Sequence, residues 1–184
     1  MNQRKFNPEL IAKLESPERR ALFPAETLLS LLDVNGTVSV LDIGAGTGYF
    51  AIPAAAQTEG VVYALDVEPS MLEVIESKAE KGNLTNIRTI QGALEHIPLE
   101  DGAVDRIIAS LVLHETDNLK LAISEIARVL REGGRCLCVE WEKTTTEQHR
   151  IHSFQMRQAM EENGLQVLSS VSQSGSHYVM VIQK

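Results

Sequence analysis

The sequence predicts an α/β fold with a mostly parallel sheet covered by helices on both faces. Three observations predict it. Short apolar runs with strand character alternate with helical patterns from about residue 38 onward. Glycine or proline punctuates nearly every junction between them. The chain then finishes on two strand-like runs separated by only "SQSGS", too short for anything but an antiparallel hairpin.

The elements follow in order. "TVSVLDI" reads as the first strand, and a glycine turn leads into the helix "YFAIPAAAQ". Pro53 kinks that helix unless it falls in an irregular first turn. "VVYALDV" is a second strand, ending in Asp66. Pro69 opens a helix over about 70–81, which Gly82 and Asn83 close. "NIRTIQG" is a third strand and "DRIIASLVL" a fourth. Leu119, Ala122, Ile123, Ile126, Ala127 and Leu130 recur at three- and four-residue steps, the clearest amphipathic helix in the chain, and Gly133-Gly134 stops it. "RCLCVEW" is a fifth strand, and a last helix runs from about Ser153 to Asn163. "LQVLSSV" and "HYVMVIQ" form the hairpin. Residues 1–37 are expected to form a helical cover over a single domain whose core is 38–184.

Composition excludes several function classes. The chain has 184 residues, 43% of them hydrophobic, and no apolar run that spans a bilayer. "MNQRKFNPEL" lacks the apolar core of a secretion signal, so a cytoplasmic location is expected. A net charge of −8 argues against a large nucleic-acid substrate. Residues 1–20 are the exception, with five basic groups (Arg4, Lys5, Lys13, Arg19, Arg20) against three acids. Cys136 and Cys138 share one strand face, too few soft ligands for a metal, and read as reduced core thiols. No metal site is expected; His149 and His152, three apart on a helix face, lack a third ligand.

The chemistry concentrates in "SVLDIGAGTGYF". Gly44, Ala45, Gly46 and Gly48 directly follow the first strand. Without a Cβ the glycines allow positive φ angles and let a ligand lie against the backbone. A dinucleotide fingerprint spaces its glycines G-x-G-x-x-G, but here the third comes one residue early and Tyr49 holds the usual place. Asp42 stands just before the turn, where a carboxylate repels a pyrophosphate and welcomes an ammonium or sulfonium. Asp66 ends the second strand, placed to accept from both hydroxyls of a ribose, and Glu68 disfavours a 2′-phosphate. A cationic amino acid joined to an unphosphorylated nucleoside meets all these conditions. S-adenosylmethionine is that molecule. The competing structural reading is a tight turn with Asp66 capping a helix.

With those residues in hand, the chain resembles the class I S-adenosylmethionine-dependent methyltransferases, in the style of the small bacterial ubiquinone/menaquinone-type enzymes. "VLDIGAGTGYF", "ALDVEPSMLE", "QGALEHIPLEDGAVDRI", "SLVLHETDN" and "EIARVLREGGRCLCVEW" carry the resemblance, which runs from about Phe6 to Gln183. It implies a Rossmann-like, doubly wound, seven-stranded sheet in three αβα layers, its C-terminal strand antiparallel. It places Asp42, Gly44 and Gly46 along the methionine portion and Asp66 on the ribose. Val67 and Met71 would flank the adenine, Gly92, Ala93 and Leu94 its edge, and Ser110 the sulfonium end. Many members carry an aspartate where Ala93 stands, so Glu95 or a water is expected to take its part.

The expected activity is methyl transfer to a small-molecule acceptor, with S-adenosylhomocysteine as product and assembly as a homodimer left open. His114 and Glu115 are the candidate catalytic groups, His114 having the right pKa for a base near neutrality. Their structural reading is a helix start with His114 packed beneath it. Trp141 reads either as a pocket floor or as core. Phe6, Phe23 and Tyr49 are candidate apolar lining of an open site. A cofactor-binding but catalytically silent partner protein is the alternative, and a nucleotide-dependent oxidoreductase a third reading.

Overall fold

A computed structural model describes residues 12, 14–144, 146, 149–173 and 175–184. Seven strands form one sheet, flanked by helices, in the order β3-β2-β1-β4-β5-β7-β6. They are β1 (Val40–Ile43), β2 (Val62–Asp66), β3 (Ile87–Gln91), β4 (Val104–Ser110), β5 (Leu130–Trp141), β6 (Gln166–Gln173) and β7 (His177–Gln183). The chain divides into two compact units, residues up to 93 and from 94 on.

In the first unit β2 pairs in parallel with β1 and with β3, with Asp66 opposite Gln91 at the last rung. All four residues of β1 are buried, as a central parallel strand requires. Two six-residue helices, α1 (Pro17–Leu22) and α2 (Ala25–Ser30), precede it. Ser16 caps α1 by accepting from the Arg19 N–H, and Pro17 occupies the first turn, where its missing N–H costs nothing. Phe23, Leu29 and Leu32 fill the core behind them. The helix after the glycine turn, α3 (Ala51–Ala55), is five residues long and takes Pro53 in its first turn, so the expected kink does not arise. Helix α4 (Pro69–Lys81) buries Met71, Leu72, Ile75 and Ala79 and ends at Gly82, with Asn83 following at φ +51°.

Gly60 shows how closely the chain packs before β2. A Cβ there would lie 2.2 Å from the Val38 carbonyl oxygen and 2.5 Å from that of Thr37. Both obstacles are backbone, so neither can rotate away. Gly60→Ala should lower the unfolding free energy by roughly 3 kcal/mol, read by urea denaturation; a wild-type midpoint would show that the strand end yields freely.

In the second unit β4 and β5 are parallel, with an irregularity that lets Val104 face Leu130 and Arg106 face Arg135. The expected helix before β5 is α5 (Leu119–Val129), capped by the Asn118 side chain accepting from the Leu121 N–H. Its buried face is Ala122, Ile123, Ile126 and Val129. Leu130 belongs instead to β5, which begins before the glycine pair expected to precede it. Helix α6 (Ser153–Glu162) buries Met156 and Met160. The hairpin is present, and β7 pairs antiparallel with both β5 and β6. Cys136 and Cys138 are buried free thiols, and burial pushes the Cys136 thiol up to about 12. Among the described residues no helix is long and apolar enough to cross a membrane.

Candidate functional site

The glycine turn adopts the conformation its composition allows. Gly44, Gly46 and Gly48 have φ of +64°, +53° and +82°. At Gly46 the cause is conformational rather than steric, since a Cβ would meet only Leu14 Cδ1, at an ordinary 3.6 Å. Ala45 is buried and its N–H donates to the Leu65 carbonyl (2.9 Å). From beneath, Lys78 Nζ donates to the Thr47 carbonyl (2.8 Å) and pairs with Glu15.

Both predicted carboxylates belong to this turn. Asp66 Oδ2 accepts from the Gly46 N–H (2.8 Å) and Oδ1 from the Glu68 N–H (2.9 Å). Each oxygen keeps one lone pair for another donor. Asp42 is 2% exposed, and its Oδ2 accepts from the Ala51 N–H (2.9 Å), satisfying an amide that the start of α3 leaves open. Burial raises the Asp42 carboxyl to about 7; the Ala51 N–H opposes this, Asp66 adds to it, and Arg19 opposes it.

Arg19 was legible only as one charge in a basic arm. The structure puts its guanidinium 5.4 Å from the centre of the Tyr49 ring and within electrostatic reach of Asp42. Its Nε is buried with no hydrogen-bond partner among the described residues. Tyr49 holds this segment in place, its hydroxyl donating to the Phe23 carbonyl (2.7 Å). Tyr49 is therefore a clasp for α1, and Phe23, 1% exposed, is core rather than lining. Phe6 lies outside the described residues.

The adenine candidates fall around the same unit's strand ends. Met71 is buried on α4 and Val67 is 53% exposed. The Gly92 N–H donates to the Asp66 carbonyl (3.1 Å), and Ala93 is exposed. A 770 Å³ cavity borders Gly48, Tyr49, Pro53 and Lys78, but neither Asp42 nor Asp66 lines it.

In the second unit Leu94 is buried. Glu95, the expected substitute for an acid at Ala93, accepts from the Asp117 and Asn118 N–H groups (3.0 and 3.4 Å). Ser110 ends β4 with its hydroxyl buried and unpartnered among the described residues. Leu111 follows at φ +56°, a left-handed conformation that branched side chains adopt only under constraint. The strain turns the chain into a 3₁₀ turn, Leu113–Glu115, that carries His114.

The two catalytic candidates part here. Glu115 is 68% exposed, its Oε1 4.0 Å from His114 Nε2. His114 Nδ1 instead meets Glu140 Oε2 at 2.6 Å. Glu140 is 1% exposed, and its Oε1 accepts from the Val112 and Leu113 N–H groups (2.8 and 2.7 Å). The hydrogen bond to Glu140 raises the His114 pKa above its ordinary value, against the effect of burial. An acid inside the apolar run "RCLCVEW" was the available signal for Glu140, since a carboxylate on a fully buried strand needs partners. His149 and His152 do not share a helix face: both precede α6, with His149 6.1 Å from the His114 ring and His152 Nδ1 3.2 Å from Glu142 Oε1. Trp141 packs against His177 and lies beneath the Arg150 guanidinium, 5.4 Å from its ring centre. No cluster of metal-ligating residues occurs among the described residues.

Residues 41–138 match the family described as "Methyltransferase domain". The chain belongs to this methyltransferase family. It is similar to the demethylmenaquinone methyltransferase of Lactococcus lactis subsp. lactis, 33% identical over 121 residues, covering 65% of this chain and 48% of that protein. It is 36% identical over 104 residues to the ubiquinone/menaquinone biosynthesis C-methyltransferase UbiE of Brucella anthropi, covering 55% and 40%. This methyltransferase domain thus spans less than half the length of these curated relatives. A SAM-dependent methyltransferase from Aquifex aeolicus has a similar structure, with a TM-score of 0.84 at 25% identity over 97% of this chain and 98% of that one. The predicted seven-stranded Rossmann-like class and the family resemblance are both borne out.

Proposed function

We propose that this chain binds S-adenosylmethionine and catalyses methyl transfer to a small-molecule acceptor. The observation that carries the reading is the glycine turn with a carboxylate engaged on either side, Asp42 at the start of α3 and Asp66 on the Gly46 amide. The donor set matches the charges of the cofactor. Asp42 suits its positive charge, the spare lone pairs of Asp66 accept from the ribose hydroxyls, and the Arg19 Nε, which has no hydrogen-bond partner among the described residues, suits its carboxylate. When bound, the cofactor supplies an electrophilic methyl carbon on a sulfonium. The protein's part is to hold and align, and alignment alone is worth ~7–11 kcal/mol of barrier. The names of the curated relatives support a quinone-type small molecule as acceptor, and the net charge of −8 speaks against nucleic acid.

Calorimetry with S-adenosylhomocysteine tests the reading. Binding is expected, with no binding of NAD. Asp66→Ala should weaken it about tenfold or more, the loss of a charged hydrogen-bonding site being worth ~1.5–3 kcal/mol. NAD binding in its place, or an Asp66→Ala protein of unchanged affinity, would overturn the assignment.

A further inference from the structure

We propose that the cavity bordering Gly48 and Tyr49 is a second ligand site, and that it takes an amphipathic monocarboxylate, a single anionic head on an apolar body. The site lies within the first unit and does not depend on the methyltransferase reading.

The cavity measures 770 Å³, inside the range of roughly 300–1,000 Å³ that small-molecule sites occupy. Its described lining residues all fall between Glu15 and Leu84. Gly48 and Tyr49 give it a wall in common with the glycine turn, but neither Asp42 nor Asp66 lines it. A ligand here leaves both carboxylates of the turn free for the cofactor.

The apolar part comes mainly from the short helix α3. Its buried residues are Ala51, Ala54 and Ala55. Ile52 and Pro53 stay half-buried and Ala56, at its C-cap, is exposed. All three line the cavity, and Pro24 and Leu84 add to the apolar wall. A helix that buries only alanines has its larger apolar surface still to cover, and a ligand body in the cavity covers it.

The polar part is one cation. Arg20 donates from Nε to the Glu15 carbonyl (3.3 Å), and its guanidinium lies 5.8 Å from the centre of the Tyr49 ring. The carbonyl and the ring together orient the plane of the fork. Its two terminal nitrogens have no hydrogen-bond partner among the described residues. Two parallel N–H groups on a planar fork match the two oxygens of a carboxylate. Arg19, 5.4 Å from the same ring centre, adds to the positive field. Lys78 is already engaged, by Glu15 and by the Thr47 carbonyl (2.8 Å).

These charges set the valence of the ligand. Lys78 and Glu15 cancel, and Arg20 shares the wall with one further acid, Glu26. One negative charge on the fork gains a bidentate pair. A phosphate monoester, at roughly −1.5 to −2, brings extra charge against the two acids with no second free cation among the described lining residues to neutralise it. An ammonium head gains nothing from the fork and is repelled by it.

Calorimetry on the full chain tests this with octanoate as probe. Saturable binding of one octanoate per chain is expected, and equally in protein saturated with S-adenosylhomocysteine. Octyl phosphate and octylammonium should bind about tenfold more weakly or worse. Arg20 is exposed, so Arg20→Gln leaves the fold intact; it should weaken octanoate binding about tenfold or more through loss of the bidentate pair. Ala56→Trp fills the cavity from an exposed position and should abolish octanoate binding with S-adenosylhomocysteine affinity unchanged. Absence of saturable octanoate binding, its displacement by S-adenosylhomocysteine, equal affinity for either of the other octyl compounds, or octanoate affinity unchanged in either variant would overturn the second site. A protein that binds octanoate in this way but no S-adenosylhomocysteine supports the second site and refutes the cofactor reading, so the two claims fail separately.

Discussion

Glu140→Ala should lower the unfolding free energy by about 3–5 kcal/mol, the range for breaking a buried charged network. Glu140 is 1% exposed and has three partners among the described residues: two backbone N–H groups and the His114 ring. Alanine orphans all three. Each abandoned amide costs about 1–3 kcal/mol if no water reaches it. The effect has a sign in pH. His114 has a folded pKa above its unfolded value, so its share of the stabilisation is complete below the unfolded pKa and fades as pH rises through the folded one. The variant's deficit should therefore be larger at pH 5.5 than at pH 9. Urea titrations followed by the single tryptophan, Trp141, would measure both. A loss below 1 kcal/mol, or a deficit that grows with pH, would show that Glu140 is not the anchor described.

The second large effect concerns Asp42. Its folded pKa of about 7 lies above the ordinary carboxyl value, so the folded protein prefers it protonated and loses stability as pH rises from about 4 to 7. A ligand bringing positive charge against it reverses that preference. Affinity for S-adenosylhomocysteine should then rise with pH, by up to about thirtyfold between pH 5.5 and 7.5, since each pH unit is worth 1.36 kcal/mol for a group that must ionise. Calorimetry in buffers of different ionisation enthalpy should detect proton release on binding. Asp42→Asn should flatten the profile. A flat wild-type profile would mean that Asp42 serves only α3.

Much of the fold was legible because its signals are local. The Leu119–Val129 periodicity, the proline opening α4 and the short link between β6 and β7 each fix an element without tertiary information. The turn was legible for a related reason: three glycines spaced by small residues admit few conformations, and an acid before them limits the ligand. Contacts distant in sequence were not legible. Arg19 and Asp42 are brought together only by α1 packing under Tyr49, and nothing local to "SPERRAL" announces it. Glu115 stands beside His114 in the sequence and was a catalytic candidate with it, but its side chain is 68% exposed. The true partner, Glu140, is 26 residues away and becomes adjacent through the parallel pairing of β4 with β5.

The strand order also governs how a growing chain can mature. β6 emerges before β7, yet its hydrogen-bonding neighbour in the sheet is β7, which begins only at His177. Until then β6 has no seat on the sheet and β5 presents an unpaired edge. A nascent polypeptide stalled before residue 177 therefore exposes "CLCV" along that edge, the kind of segment that chaperones shield or that seeds aggregation.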